Sequence, residues 1–179
     1  MRIAGLLVVC AVLAACVVGS ASAQREDPVS IAASLGVYMP TSSDTRDRFD
    51  DAWVRFGLRA FEPAKPEKWR FGFDAGILDT DGPTEALLIP ITAGFERGFG
   101  QDTDRRPYVA IRAGTYYGSV EEPARDIDET KWGLNVNASA GIVFKQRFFV
   151  EMRYDVFSDI AGISFDGLSA IVGIRLFDL

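Results

Sequence analysis

Residues 29–39 read VSIAASLGVYM, and their alternation decides the fold. Val29, Ile31, Ala33, Leu35, Val37 and Met39 share one parity, while Ser30, Ala32, Ser34 and Gly36 share the other. A period of two describes an extended strand with two unlike faces. The pattern restarts about eight times along the chain, over Val29 to Met39, Trp53 to Phe61, Trp69 to Leu78, Ala86 to Arg97, Tyr108 to Gly118, Trp132 to Phe144, Phe148 to Val156 and Gly167 to Phe177. Each run has roughly the nine to eleven residues that a tilted strand needs to cross a bilayer. Between the runs lie stretches dense in Gly, Pro, Asp and Ser, the residues that supply turn geometry. Lys145-Gln146 is short enough for a tight hairpin. The spacing predicts an all-β protein, an antiparallel up-and-down transmembrane β-barrel of about eight strands.

The chain has 179 residues, 48% of them hydrophobic, which suits one folded domain behind a leader. Met1-Arg2 is a short basic start, Ile3 to Val18 is apolar, and Ala21-Ser22-Ala23 is a small-x-small cleavage site before Gln24. These features predict a secretory signal peptide over 1–23 and a barrel domain over 24–179. Leu13-Ala14-Ala15-Cys16 offers a second route, because it is similar to a lipobox in which Cys16 would carry lipid. Both cysteines, Cys10 and Cys16, fall in the leader, so cleavage after Ala23 leaves no disulfide or thiolate chemistry. The formal charge of −6 argues against a nucleic-acid partner, which needs clustered Lys and Arg. After the leader no apolar run reaches the roughly 18 residues of a membrane helix.

Which wall faces outward decides what such a barrel is. The polar parity carries Gly36, Gly57, Gly72, Gly76, Gly94, Gly114, Gly133, Gly141 and Gly173. Glycine weakens a solvent-facing strand but makes room inside a narrow barrel. Among those glycines stand Arg55, Arg59, Arg70, Asp74, Glu96, Arg112, Asn135, Asn137, Glu151, Arg153, Asp155 and Arg175. We expect a lumen ion-pair network from Arg55, Arg59, Arg70, Asp74, Arg112, Glu151, Arg153, Asp155 and Arg175, because guanidinium forks fit where neighbours are small and carboxylates near. The other parity is aliphatic through the strands and aromatic near their ends. With the N-terminus on the periplasmic side, Trp69, Phe71, Phe95, Phe144 and Phe148 would form a lower aromatic belt, and Tyr117, Trp132 and Tyr154 an upper one. Turning the polar parity outward would place Arg55, Arg112 and Arg153 in hydrocarbon. At roughly 2–4 kcal/mol each, that amounts to about 6–12 kcal/mol, comparable with the stability of a whole domain. The apolar wall must face lipid.

With leader, alternating strands, aromatic ends and the amphipathic last strand Leu168 to Phe177, the chain resembles the small outer-membrane β-barrel family, most like the OmpA transmembrane domain and OmpX. The resemblance implies the outer membrane of a diderm bacterium, surrounding outer-membrane lipid and a monomer. Two features depart from it. Phe177 is followed by Asp178-Leu179, whereas such barrels usually end on an aromatic residue. Pro90 sits inside the fourth strand, where a lost ladder bond predicts a bulge or distortion.

The chain contains no histidine. The barrel enzymes of the outer membrane use histidine as base or partner, so the resemblance implies no enzyme of their usual kind. Neither a cofactor nor a metal site is expected. Asp79-Thr80-Asp81-Gly82 lacks the later glutamate of an EF-hand, and Glu121, Glu122, Asp126, Asp128 and Glu129 read as a solvated acidic loop. Asp74 and Glu151 invite a hydrolase reading, but arginine neighbours would keep both charged and leave no general acid. The outward connections, Pro40 to Asp51, Asp79 to Glu85, Gly118 to Lys131 and Phe157 to Asp166, read as hydrated loops with scattered apolar residues: Phe49, Val120, Ile127, Ile160, Ile163 and Phe165. An external ligand or surface partner would bind there. The expected role is structural or surface interaction around a plugged polar lumen. The alternatives are a narrow OmpW-like channel for small or apolar solutes and a soluble exported lipocalin-like ligand-binding barrel.

Overall fold

The computed structural model describes residues 29–61, 68–80, 84–100, 102 and 104–179. The expected leader with its cysteines, the lipobox-like stretch and Asp81-Gly82 lie outside the described residues. Eight strands close in chain order, each antiparallel to its neighbours, with the last paired back onto the first. They are β1 (Ser30–Pro40), β2 (Trp53–Phe61), β3 (Trp69–Asp79), β4 (Glu85–Gly98), β5 (Arg105–Glu122), β6 (Ile127–Phe144), β7 (Phe148–Phe157) and β8 (Gly167–Asp178). This is the up-and-down barrel that the alternation predicts. Closure leaves no sheet edge around the ring, so backbone groups are satisfied between strands even where no water reaches them.

The two parities separate as the energetics require. Leu35, Val37, Phe56, Ile111, Leu134, Val136, Val150, Met152 and Val172 are exposed on the outer wall. Arg55, Arg59, Arg112 and Arg153 are buried inside, as are Asp74, Glu151 and Asp155. A lipocalin-like arrangement, with the aliphatic wall turned inward, is not what the chain adopts.

Connections alternate between two ends. At one end β2–β3, β4–β5 and β6–β7 are joined, the last by a tight turn in which Lys145 and Gln146 have φ of 48° and 55°. The other end holds the longer structures. Ser43–Phe49 forms a short helix, α1, where the sequence read as a polar loop. The side chain of Ser42 caps it by accepting from the Thr45 amide, Asp44 lies in its first turn, and Arg46 and Arg48 lie in its last. The stretch from Glu121 to Glu129, which reads as an acidic loop, is instead mostly strand, split between the end of β5 and the start of β6. β5 and β6 stay paired out to Glu122–Ile127, around a turn with Asp126 at φ 55°. The charges of Glu121, Asp128 and Glu129 masked an alternation in which Val120 and Ile127 point inward.

Pro90 distorts its ladder on one side, without a bulge. β4 keeps its register with β5 straight through Pro90 opposite Tyr116. On the other side, Ala75 pairs with Ile91 and Leu78 with Leu88, while Gly76 and Ile77 lack a β4 partner. The missing N–H therefore opens the ladder locally without shifting it. The bulge lies elsewhere, between β1 and β8, where Ile31 pairs with Phe177 but Ala32 pairs with Arg175.

Candidate functional site

The barrel interior concentrates the charged residues, and it divides into two parts. In the part nearer the short turns, Arg153 on β7 places a two-pronged contact on Asp74 of β3, at 2.7 and 2.8 Å, and its Nε donates to Glu151 at 2.9 Å. Arg59 on β2 donates to both oxygens of Glu151, at 2.9 and 2.7 Å, and to Asp74 at 3.2 Å. The Tyr108 hydroxyl also donates to Glu151, at 2.7 Å. Two arginines and two carboxylates from three strands, β2, β3 and β7, thus meet at the barrel centre. Such forks satisfy several lone pairs at once, which a buried carboxylate requires.

Around that centre, Glu96 on β4 accepts from Arg70 and Arg112, both at 3.1 Å. Arg55 meets Asp155 at 2.7 Å and Ser169 at 3.1 Å. Asn135 donates to Asp155 at 3.5 Å, and Asn137 reaches the Thr92 hydroxyl at 3.5 Å. Arg175 stands apart from these contacts. It sits at the short-turn mouth, 3.9 Å from Asp178, with its guanidinium 5.7 Å from the Phe61 ring centre. A small cavity of about 70 Å³ opens there between Arg70, Arg106, Phe61, Phe149 and Arg175. Inward glycines receive the rings: Phe149 lies where Gly173 has no side chain, and Tyr108 lies over Gly141.

The interior toward the long connections is different. There Tyr38, Trp53, Leu78, Leu88, Tyr116, Val120 and Phe157 point inward from the strands and are buried together. Phe49 of α1 and Ile160, Ile163 and Phe165 of the 158–166 connection fold into the same cluster. Ring centres lie 5.4 Å apart for Tyr38–Trp53, 5.7 Å for Phe49–Phe165, 5.8 Å for Trp53–Phe165 and 5.1 Å for Tyr116–Phe157. The polar tips find backbone partners: the Tyr38 hydroxyl donates to the Phe165 carbonyl, Tyr116 to Ser158, Thr45 to Ser164, and the Trp53 indole to Asp50 at 3.1 Å. Ile160 and Ile163 bond to each other across Ala161-Gly162, both at positive φ. Arg48 ties α1 to Glu122 of the β5–β6 hairpin at 3.4 Å.

This apolar half is the part sequence reasoning missed. Phe49, Ile160, Ile163 and Phe165 read from sequence as apolar residues of hydrated loops, whereas all four are buried. The available signal was parity, since Tyr38, Trp53, Tyr116 and Phe157 stand in step with Gly36, Arg55, Gly114 and Asp155. The aromatic positions named for the outer wall lie on its surface. Trp69, Phe71, Phe95, Phe148, Trp132 and Tyr154 are exposed, and Phe144 and Tyr117 are partly so. Phe71 lies 5.6 Å from Phe95, and Tyr117 lies 5.5 Å from Trp132. Phe56, Phe99 and Phe177 are exposed as well.

Neither a protein-family model nor a curated protein matches the sequence. Solved structures do match the fold. Neisserial surface protein A aligns over 83% of this chain and 97% of its own, with 16% identity and a TM-score of 0.63. Ail, the attachment invasion locus protein of Yersinia pestis, aligns over 85% of this chain and all of its own, with 14% identity and a TM-score of 0.52. That structure holds the heparin analogue sucrose octasulfate. The outer-membrane enzyme PagL aligns over 83% and 99%, with 14% identity and a TM-score of 0.51. The chain therefore has the fold of the small outer-membrane β-barrels.

Proposed function

We propose that this chain is an integral outer-membrane barrel whose lumen is closed to solutes and whose outer end serves surface contact. Hydrocarbon surrounds the aliphatic wall, and the long connections lie on the outer side. The apolar cluster from Tyr38 to Phe165 carries the reading, because it lies across the interior above ion pairs that already fill the centre. An aqueous path would have to part both. The lumen network supports a structural interior and not a catalytic one, since Asp74 and Glu151 each face two guanidinium groups.

The outer end is acidic, with Asp44, Asp47, Asp50, Asp51, Glu121, Asp126, Asp128 and Glu129 against Arg46, Arg48, Arg125 and Lys131. A sulfated polyanion of the kind bound by Ail is thus not the partner this surface favours. Planar-bilayer recording of the folded full chain tests closure. No discrete openings above leak are expected, and regular openings would replace this reading with a channel.

A further inference from the structure

The β5–β6 hairpin rises above its neighbour on one side only. β4 accompanies β5 as far as Glu85 opposite Glu121, whereas β7 leaves β6 after Asn135 opposite Phe157. Both backbone groups of Leu134 still engage Ser158, the amide donating to its hydroxyl at 3.0 Å and the carbonyl accepting from its amide at 2.9 Å. In an antiparallel ladder, alternate residues direct N–H and C=O to the same side. Trp132, Thr130 and Asp128 therefore aim theirs in the same direction, and no backbone group among the described residues meets them. Their side chains are exposed. The hairpin is held upright on its inner face, where Val120 and Ile127 pack on the apolar cluster and Glu122 meets Arg48 and Arg125.

A supported, unpaired edge of this kind is a template for one more strand. Its flanking side chains choose the occupant. Asp128 and Glu129 lie on the edge strand and Glu121 and Asp126 beside it, against Lys131 and Arg125. We propose that the edge Ile127–Gly133 docks an extended, basic peptide segment of an external partner, antiparallel or parallel to β6, through the backbone of Asp128, Thr130 and Trp132. This names a partner class for the surface role proposed above, and rests on that outward placement.

The test uses the full chain in neutral phosphatidylcholine vesicles and three synthetic peptides. One is an alternating Lys-Val octapeptide, one an alternating Glu-Val octapeptide, and one the Lys-Val peptide with two central prolines. The Lys-Val peptide should bind. The proline-containing peptide should bind at least roughly tenfold more weakly, the equivalent of two backbone hydrogen bonds, and the Glu-Val peptide should be weakened at least as much by its like charge. Thr130→Pro removes an amide that points to the free edge and spares the ladder to β5, so it should lower Lys-Val binding by a similar factor with net charge unchanged. Amide exchange at Asp128, Thr130 and Trp132 should slow when the peptide is added to the unmodified chain, which tests the same contact if the proline variant does not fold. Equal binding of the proline-containing peptide, full binding by Thr130→Pro, or unchanged exchange would overturn edge docking. Each of these outcomes leaves a silent bilayer recording, and with it the closed-barrel reading, untouched.

Discussion

Two halves of one interior solve the same packing problem with opposite chemistry. Near the short turns, Arg59, Arg153, Asp74 and Glu151 fill the space and satisfy each other. Near the long connections, Trp53, Tyr116, Phe157 and Phe165 fill it with rings. The difference follows from where water is. Burial of apolar surface stabilises only relative to water, and the outer connections are the part of the chain with water as their alternative. Phe49, Ile160, Ile163 and Phe165 therefore gain by folding inward. At mid-barrel the outside is already apolar, so an apolar interior would draw little from that term. Charge pairing between strands supplies specificity there instead, because each arginine can donate only to carboxylates at its own height and register.

The largest expected effect comes from breaking the charged half. Glu151→Ala leaves Arg59 and Arg153 to share Asp74, with Glu96 3.7 Å from Arg59, and removing one partner of a buried pair costs about 3–5 kcal/mol. Urea unfolding in vesicles, followed by loss of the compact heat-sensitive band on a detergent gel, measures it. A change within error of the parent would mean that water reaches these arginines and the lumen is open. The apolar half should give way differently. Ile163→Ala removes buried methyls from a connection that can partly collapse, so about 2 kcal/mol, the low end for such truncations, is expected. The damage should stay local, with faster protease cleavage within 158–166 while the barrel band keeps its urea midpoint. Equal loss of the barrel midpoint in both variants would erase the division between halves.

That division also marks what could be read from sequence. The outer wall was legible because every lipid-facing residue meets one environment, so alternation from Val29 to Met39 survives without interruption. The inner wall meets two environments, and only the charged one, Arg55 to Arg175, announced itself. Trp53 opens a strand and Phe157 ends one, positions where an aromatic residue reads equally well as a rim. Parity alone places Arg175 in the network, yet parity fixes a face and not a height, and its place is the mouth. Pro90 is legible as a lost donor that distorts a ladder, but not as one that distorts the β3 side alone. Its ladder to β5 persists because the missing N–H belonged to the β3 side, facing Gly76. The hairpin above Gly118 escaped notice for a related reason: Glu121, Asp128 and Glu129 disfavour strands in isolation, and Ile127 packing on the cluster overrides that preference.

The smallest predicted effect sharpens the boundary between the halves. Ser42 accepts from the Thr45 amide at 3.4 Å and starts α1, whose Thr45 hydroxyl donates to Ser164 and whose Phe49 ring meets Phe165. Ser42→Ala should therefore cost about 1 kcal/mol, a typical cap loss. It reaches the apolar cluster only through α1, and no contact of Ser42 extends to Arg59 or Glu151. Proteolysis within 41–52 should accelerate by roughly fivefold, as expected for a local opening free energy lowered by that amount, with cleavage at 158–166 rising alongside because Thr45 and Phe49 brace it. If instead 158–166 stays fully protected, α1 merely rests on the cluster, and the strand residues Tyr38, Trp53 and Tyr116 hold Phe165 without it. That outcome would move the boundary of the apolar half from the connections down into the strand ends.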